Sequence, residues 1–151
     1  MLTTVAIQVS VIGSGAEWES AAEEVGRLLA EHGCTVVTGG LGEVMAAAHR
    51  GAKAAGGVTI AVLPGERHDA ANEWADHVVV TGTGHARNLA VAASGHAVIA
   101  IGGTWGTLAE ISFAKLLGRP VIALQGASPV EGVELAESAA HAVELALRHL
   151  A

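Results

Sequence analysis

Residues Ala97 to Glu110 read AVIAIGGTWGTLAE: an aliphatic run, a glycine turn and the opening of a helix. Ala97–Ile101 is the length of a strand buried on both faces, Gly102-Gly103 break it, and Thr107 to Leu117 read as a helix. The same unit recurs on either side. An apolar run from Thr4 to Ile12 stops at Gly13-Ser14-Gly15, and the helix that follows carries Trp18, Ala21, Val25, Leu28 and His32 on one face before Gly33 ends it. Cys34–Thr38 stops at Gly39-Gly40, and Val44, Met45, Ala48 and Ala52 mark a second helix. Val58–Leu63 and His77–Val80 end at Pro64-Gly65 and Thr81-Gly82, and Gly84–Ser94 is helix-compatible. Pro120–Leu124 gives a sixth strand, and a last helix is expected over about Val133–Leu150, with Val133, Ala136, Ala140, Val143, Leu147 and Leu150 aligned. Strands alternating with helices imply parallel strands joined by right-handed crossovers. The expected fold is α/β, one doubly wound Rossmann-like domain over 1–151 with a mainly parallel sheet of about six strands.

Composition agrees with this plan. A chain of 151 residues can bury roughly 70% of its unfolded surface. Hydrophobic residues make up 51% and aromatics only 3%, so the core must be built from Ala, Val, Leu and Ile. Disorder, collagen and disulfide scaffolds are excluded. Eight basic against fifteen acidic residues give a net charge of −7, which argues against nucleic acid as a partner and requires any anion to be held locally. The lone Cys34 reads as core, and no leader-like start is present, so a cytoplasmic location is expected. The uncharged stretch Asn88–Ala109 is cut by Ser94-Gly95-His96 and by the Gly102–Gly106 turn, so no membrane span is expected.

In an open parallel sheet, ligands sit beyond the carboxyl ends of the strands, where this chain places its glycines. Gly13, Ser14, Gly39, Gly40, Gly103, Thr104, Trp105, Gly106 and Thr107 are therefore the candidate phosphate- or nucleotide-binding residues, offering backbone N–H groups and helix N-termini. The first turn lacks the third glycine of the dinucleotide fingerprint, no acidic residue ends strand two, and no Gly-Lys-Ser/Thr is present. Thr107 and Glu110 carry two readings. They can face a phosphate together, or close a reciprocal helix cap. Arg87 in GHARN, in a region almost free of other cations, is either an anion clamp or half of a surface ion pair. The eight histidines, His85 included, form no compact metal-binding pair, so neither a metal nor a resident cofactor is expected.

VVTGGLGEVMAAAHRGA, GGVTIAVLPG, GTGHARN and GGTWGTLAEISFA, in this order, resemble the LOG-like proteins, formerly labelled lysine decarboxylase-like. The similarity runs from about Val5 to Leu124 and is greater to the shorter branch, which includes molybdenum-cofactor carrier proteins and nucleotide-binding proteins. The resemblance implies a Rossmann-like homodimer that binds a nucleotide phosphate on the loop PGGxGT. In the cytokinin-activating phosphoribohydrolases of the family an Arg acts with the Glu of PGGxGTxxE, which puts the catalytic roles on Arg87 and Glu110. Two departures bear on that role. The family's Pro-Gly-Gly is Gly102-Gly103-Thr104 here, and its Arg-Lys pair is Arg87-Asn88.

Two functions follow as expectations. One is hydrolysis of the N-glycosidic bond of a nucleoside 5′-monophosphate, with Glu110 stabilising positive charge on the sugar or orienting water and Arg87 fixing the substrate. The alternative is non-catalytic binding or carriage of a phosphorylated ligand such as the molybdenum cofactor. Lysine decarboxylation lacks support, because Lys53 and Lys115 sit on expected helices with no sign of a Schiff-base site. Phe113, Leu116 and Leu117 add apolar faces suited to self-association.

Overall fold

The computed structural model describes residues 5–124 and 130–151. Seven strands form one parallel sheet in the order β4-β3-β2-β1-β5-β6-β7, where β1 is Gln8–Ser14, β2 Thr35–Thr38, β3 Thr59–Leu63, β4 His77–Val80, β5 Ala97–Gly102, β6 Val121–Leu124 and β7 Glu134–Leu135. The order reverses direction between β1 and β5, which pair from Val9↔Ala97 to Ser14↔Gly102. The expected first-strand position Thr4 lies outside the described residues.

The helices cover both faces. On one side pack α1 (Glu19–Glu31), α2 (Val44–Ala54) and α5 (Ala139–Arg148), whose Val25, Leu29, Ala48 and Val143 meet Val9, Val11, Ile99 and Ile101. On the other, α3 (Arg87–Ser94) and α4 (Trp105–Leu116) bring Val91, Ala92, Ile111 and Ala114 onto Ile12, Val37, Val98 and Ala100. Consecutive strand residues thus enter opposite cores, as the alternation of side chains along a strand requires. No helix among the described residues is long and apolar enough to cross a membrane.

The expected helix over Val133–Leu150 is shorter, and a seventh strand replaces its start. Ala136 N–H donates to Ala123 O at 2.8 Å, which holds Glu134–Leu135 extended beside β6. Val133 packs with the α3–α4 side and Ala136 with the α1–α2–α5 side, whereas one helical face would have carried both. Ser138 then starts α5 by accepting from His141 N–H at 3.1 Å, a side-chain N-cap.

Helix α1 lies so close to α2 that a Cβ added to Gly26 would sit 1.9 Å from Ala48 O. Backbone cannot rotate aside, so Gly26→Ala must push the two helices apart. It should lower unfolding stability by about 2 kcal/mol or more, read from the urea midpoint, and an unchanged midpoint would contradict this packing.

Candidate functional site

The turns after β1, β2, β3 and β5, together with the starts of α3 and α4, enclose a cleft of about 430 Å³ beside the switch point of the sheet. That volume suits a small-molecule ligand. Gly13, Ser14, Gly39, Arg87, Thr104, Gly106, Thr107 and Glu110 line it. Three other candidates do not. Gly40 is buried against β3, where an added Cβ would lie 2.6 Å from Ala61 Cβ. Gly103 is not part of the lining, and Trp105 is 83% exposed outside the cleft.

Helix α4 begins at Trp105, two residues earlier than expected, with Thr104 as its N-cap residue and no side-chain capping bond. Thr107 is consequently inside the first turn and cannot form the reciprocal cap with Glu110. Its hydroxyl turns back toward Gly103, where an added Cβ would be 2.1 Å from Oγ1. The opening N–H groups of α4 have no acceptor within the helix, and they sit at the positive end of its dipole. One turn further in, Glu110 is buried, only 7% exposed.

Arg87 enters the cleft as the first residue of α3. It makes no ion pair among those of the described residues, so the surface-pair reading does not hold. Its Nη1 donates to Asn88 Oδ1 at 2.7 Å, and its Nε is buried without an acceptor. The guanidinium rests against Gly39, where an added Cβ would lie 2.8 Å from Cζ. Burial pulls its pKa down from the ordinary arginine value, and the Glu110 carboxylate works against that shift. An arginine nevertheless remains cationic at neutral pH.

The sequence marks Asn88 only as a departure from the expected lysine; its role shows in the structure, where it is buried and pins Arg87. Other residues here escaped sequence reasoning. Met45 and Pro64 supply apolar wall. Glu43 has φ 53°, unusual for a side-chain-bearing residue, and its Oε2 accepts from Gly15 N–H at 2.6 Å, occupying an amide of the first glycine turn. Only this positive φ and the hydrogen bond single it out, and neither has a sequence signal. Among the described residues no cluster of metal-ligating side chains occurs.

Burial raises the Glu110 pKa to about 7, with Arg87 opposing the shift. The carboxyl is thus divided between acid and carboxylate near neutrality. Because the folded state holds this proton more tightly than the unfolded chain, the group's stabilisation is complete below about pH 4.5 and is lost as pH rises toward 7. Glu110→Gln removes that loss. Its urea midpoint should gain on the parent between pH 5 and 8, by up to about 3 kcal/mol in unfolding free energy. A difference that stays flat across that range would contradict the burial of a titrating Glu110.

The chain is 40% identical over 140 residues to an uncharacterized protein of Archaeoglobus fulgidus, covering 91% of this chain and 92% of that one. Its structure is similar to the molybdenum cofactor binding protein from Rippkaea orientalis, with a TM-score of 0.92 and 30% identity over 99% of this chain and 100% of the other. The molybdenum cofactor carrier protein from Chlamydomonas reinhardtii gives a TM-score of 0.88 and 32% identity, covering 97% and 99% of the two chains. Residues 6–148 match the SLOG cluster4 family, and the chain belongs to that family, within the LOG-like superfamily.

Proposed function

We propose that this protein binds and carries a phosphorylated small molecule of the pterin type, with the ligand's phosphate on the first turn of α4 and against Arg87. The observation that carries this reading is the pinned arginine. Asn88 occupies Arg87 Nη1 where the family's enzymes place a second cation, which leaves one positive side chain and the α4 amides to hold an anion. The orphaned Arg87 Nε adds a buried donor that an anionic ligand can satisfy. Leu41, Met45 and Pro64 offer apolar wall to a ring system. Nearly full-length similarity to molybdenum cofactor carrier proteins supports the same ligand class. The molybdenum cofactor would be cargo here, held by these groups through its phosphate and its ring.

The elevated Glu110 pKa favours a second reading, hydrolysis of a nucleoside 5′-monophosphate. There, water adds to the anomeric carbon, the base leaves with a proton, and ribose 5-phosphate is the second product. Glu110 as carboxylate would stabilise the cationic sugar and receive the water's proton.

The α3–α4 face also supports a homodimer. Leu89 on α3, Trp105 and Leu116 at the two ends of α4, and Leu117 just beyond it are exposed, whereas Phe113 is half-buried against the core. A second copy would cover this surface. A cytoplasmic location accords with such a carrier.

One experiment separates the readings. Purified protein is assayed for pterin fluorescence after oxidative release and, in parallel, for free adenine after incubation with AMP. Pterin is expected with the parent, free adenine is not, and Arg87→Lys should retain roughly tenfold less pterin. Release of adenine that disappears in Glu110→Gln would establish the hydrolase instead, and neither signal would refute both.

A further inference from the structure

Behind the cleft, on α2, His49 is fully buried and contributes nothing to the cleft's lining. Its two ring nitrogens face partners of opposite kind. Trp74 N–H donates to Asn72 Oδ1 at 3.1 Å, which turns the Asn72 amide nitrogen toward His49 Nδ1, 3.3 Å away, and toward Leu41 O at 3.2 Å. His49 Nδ1 therefore accepts, the ring proton sits on Nε2, and Nε2 donates to Thr38 Oγ1 at 3.1 Å. Thr38 Oγ1 also accepts from Gly40 N–H at 2.9 Å, and Asn72 N–H donates to Gly40 O at 2.9 Å. The turn that leaves β2 is thus gripped at Gly40 N–H, Gly40 O and Leu41 O.

That turn carries Gly39, the surface on which the Arg87 guanidinium rests. We propose that His49 is a positioning residue, which through Thr38 and Asn72 fixes the Gly39–Leu41 turn and thereby the place of Arg87 in the cleft. An apolar side chain of similar size would fill the volume but supply neither the donor toward Thr38 nor the acceptor toward Asn72. Burial keeps the ring in the neutral form the relay needs, lowering its pKa to about 4. The inference rests on the cleft being the binding site proposed above.

The test compares Thr38→Val, which keeps the shape but removes the shared hydroxyl, with Thr38→Ser, which restores it, and with His49→Leu. Three quantities are measured: hydrogen exchange at the Gly40 amide, the Glu110 titration by carboxyl NMR, and calorimetric affinity for AMP. In Thr38→Val, Gly40 exchange should quicken and AMP should bind roughly tenfold more weakly. The Glu110 pKa should climb above 7 as Arg87 loosens, and Thr38→Ser should stay near the parent in all three. In the Thr38→Val/His49→Leu double variant the losses should not add, since both substitutions cut one relay. A merely structural role would lower melting temperature without moving the Glu110 titration, and that result in folded Thr38→Val overturns the proposal. If the parent binds neither AMP nor inorganic phosphate, the binding reading fails by itself; Gly40 exchange and the Glu110 titration still decide the role of His49. Should His49→Leu not fold, the Thr38 pair decides it.

Discussion

In the cleft, the guanidinium of Arg87 lies against the α-carbon of Gly39 with no space for even a methyl group between them. This contact brings a strand-end turn on one side of the sheet's switch point to the first residue of α3. Its consequences are electrostatic. Arg87 is held partly out of water beside a buried Glu110, and each shifts the other's protonation equilibrium. In water their mutual influence would be weak, whereas in a partly desolvated cleft it opposes the shift that burial imposes on each without reversing it. The parallel sheet makes the arrangement possible by delivering the β1, β2, β3 and β5 turns to one rim.

The molecule as a whole carries −7, yet the candidate site concentrates the groups that favour anions. A protein that relied on long-range attraction would need a basic surface. Here the donors are local: the opening amides of α4, one arginine and the hydroxyl of Thr104. Such a design selects by contact rather than by steering. Asn88 sharpens the point, because it spends one of the arginine's donors on an internal bond and fixes the direction of those that remain. The strained Glu43 does the reverse at the first glycine turn, where its carboxylate already holds the Gly15 amide. The first glycine turn and the start of α4 are therefore not equivalent toward an anion, and α4 is the open one.

Much of this fold is legible in the sequence because its signals are local. AVIAIGG and VTIAVLPG each announce a buried strand and its end within eight residues, and the rim of the sheet follows from those ends. The β7 strand is not legible. Two residues are too few to establish a period, and Val133 and Ala136 match a helical spacing while entering opposite cores. The loop GGTWGTLAE shows where an anion would sit, yet the helix begins two residues before Thr107, because no side-chain cap is needed where a glycine turn already sets the entry. Arg87 stands out as a rare cation, but its seat on Gly39 depends on two segments 48 positions apart, and no local pattern encodes that contact. His49 is harder still. Its partners Thr38 and Asn72 lie on opposite sides of it in sequence, and it takes the crossover from β2 through α2 to β3 and the segment between β3 and β4 to bring them together.

The two buried titrating groups also bear on how such a site stays stable. Glu110 holds a proton more tightly in the fold than in the unfolded chain, so its contribution falls as pH rises between about 4.5 and 7. His49 behaves oppositely. Its folded pKa near 4 lies below the ordinary 6.5, so the unfolded chain binds the extra proton in that interval and stability grows with pH across it. The windows nearly coincide and the signs differ. Between about pH 4.5 and 6.5 the two slopes therefore oppose each other, and stability varies less with pH there than either group alone would make it vary. What remains pH-dependent is the charge presented to a ligand, since Glu110 gains its negative charge beside Arg87 as pH passes 7, and an anion held there meets growing repulsion from the carboxylate.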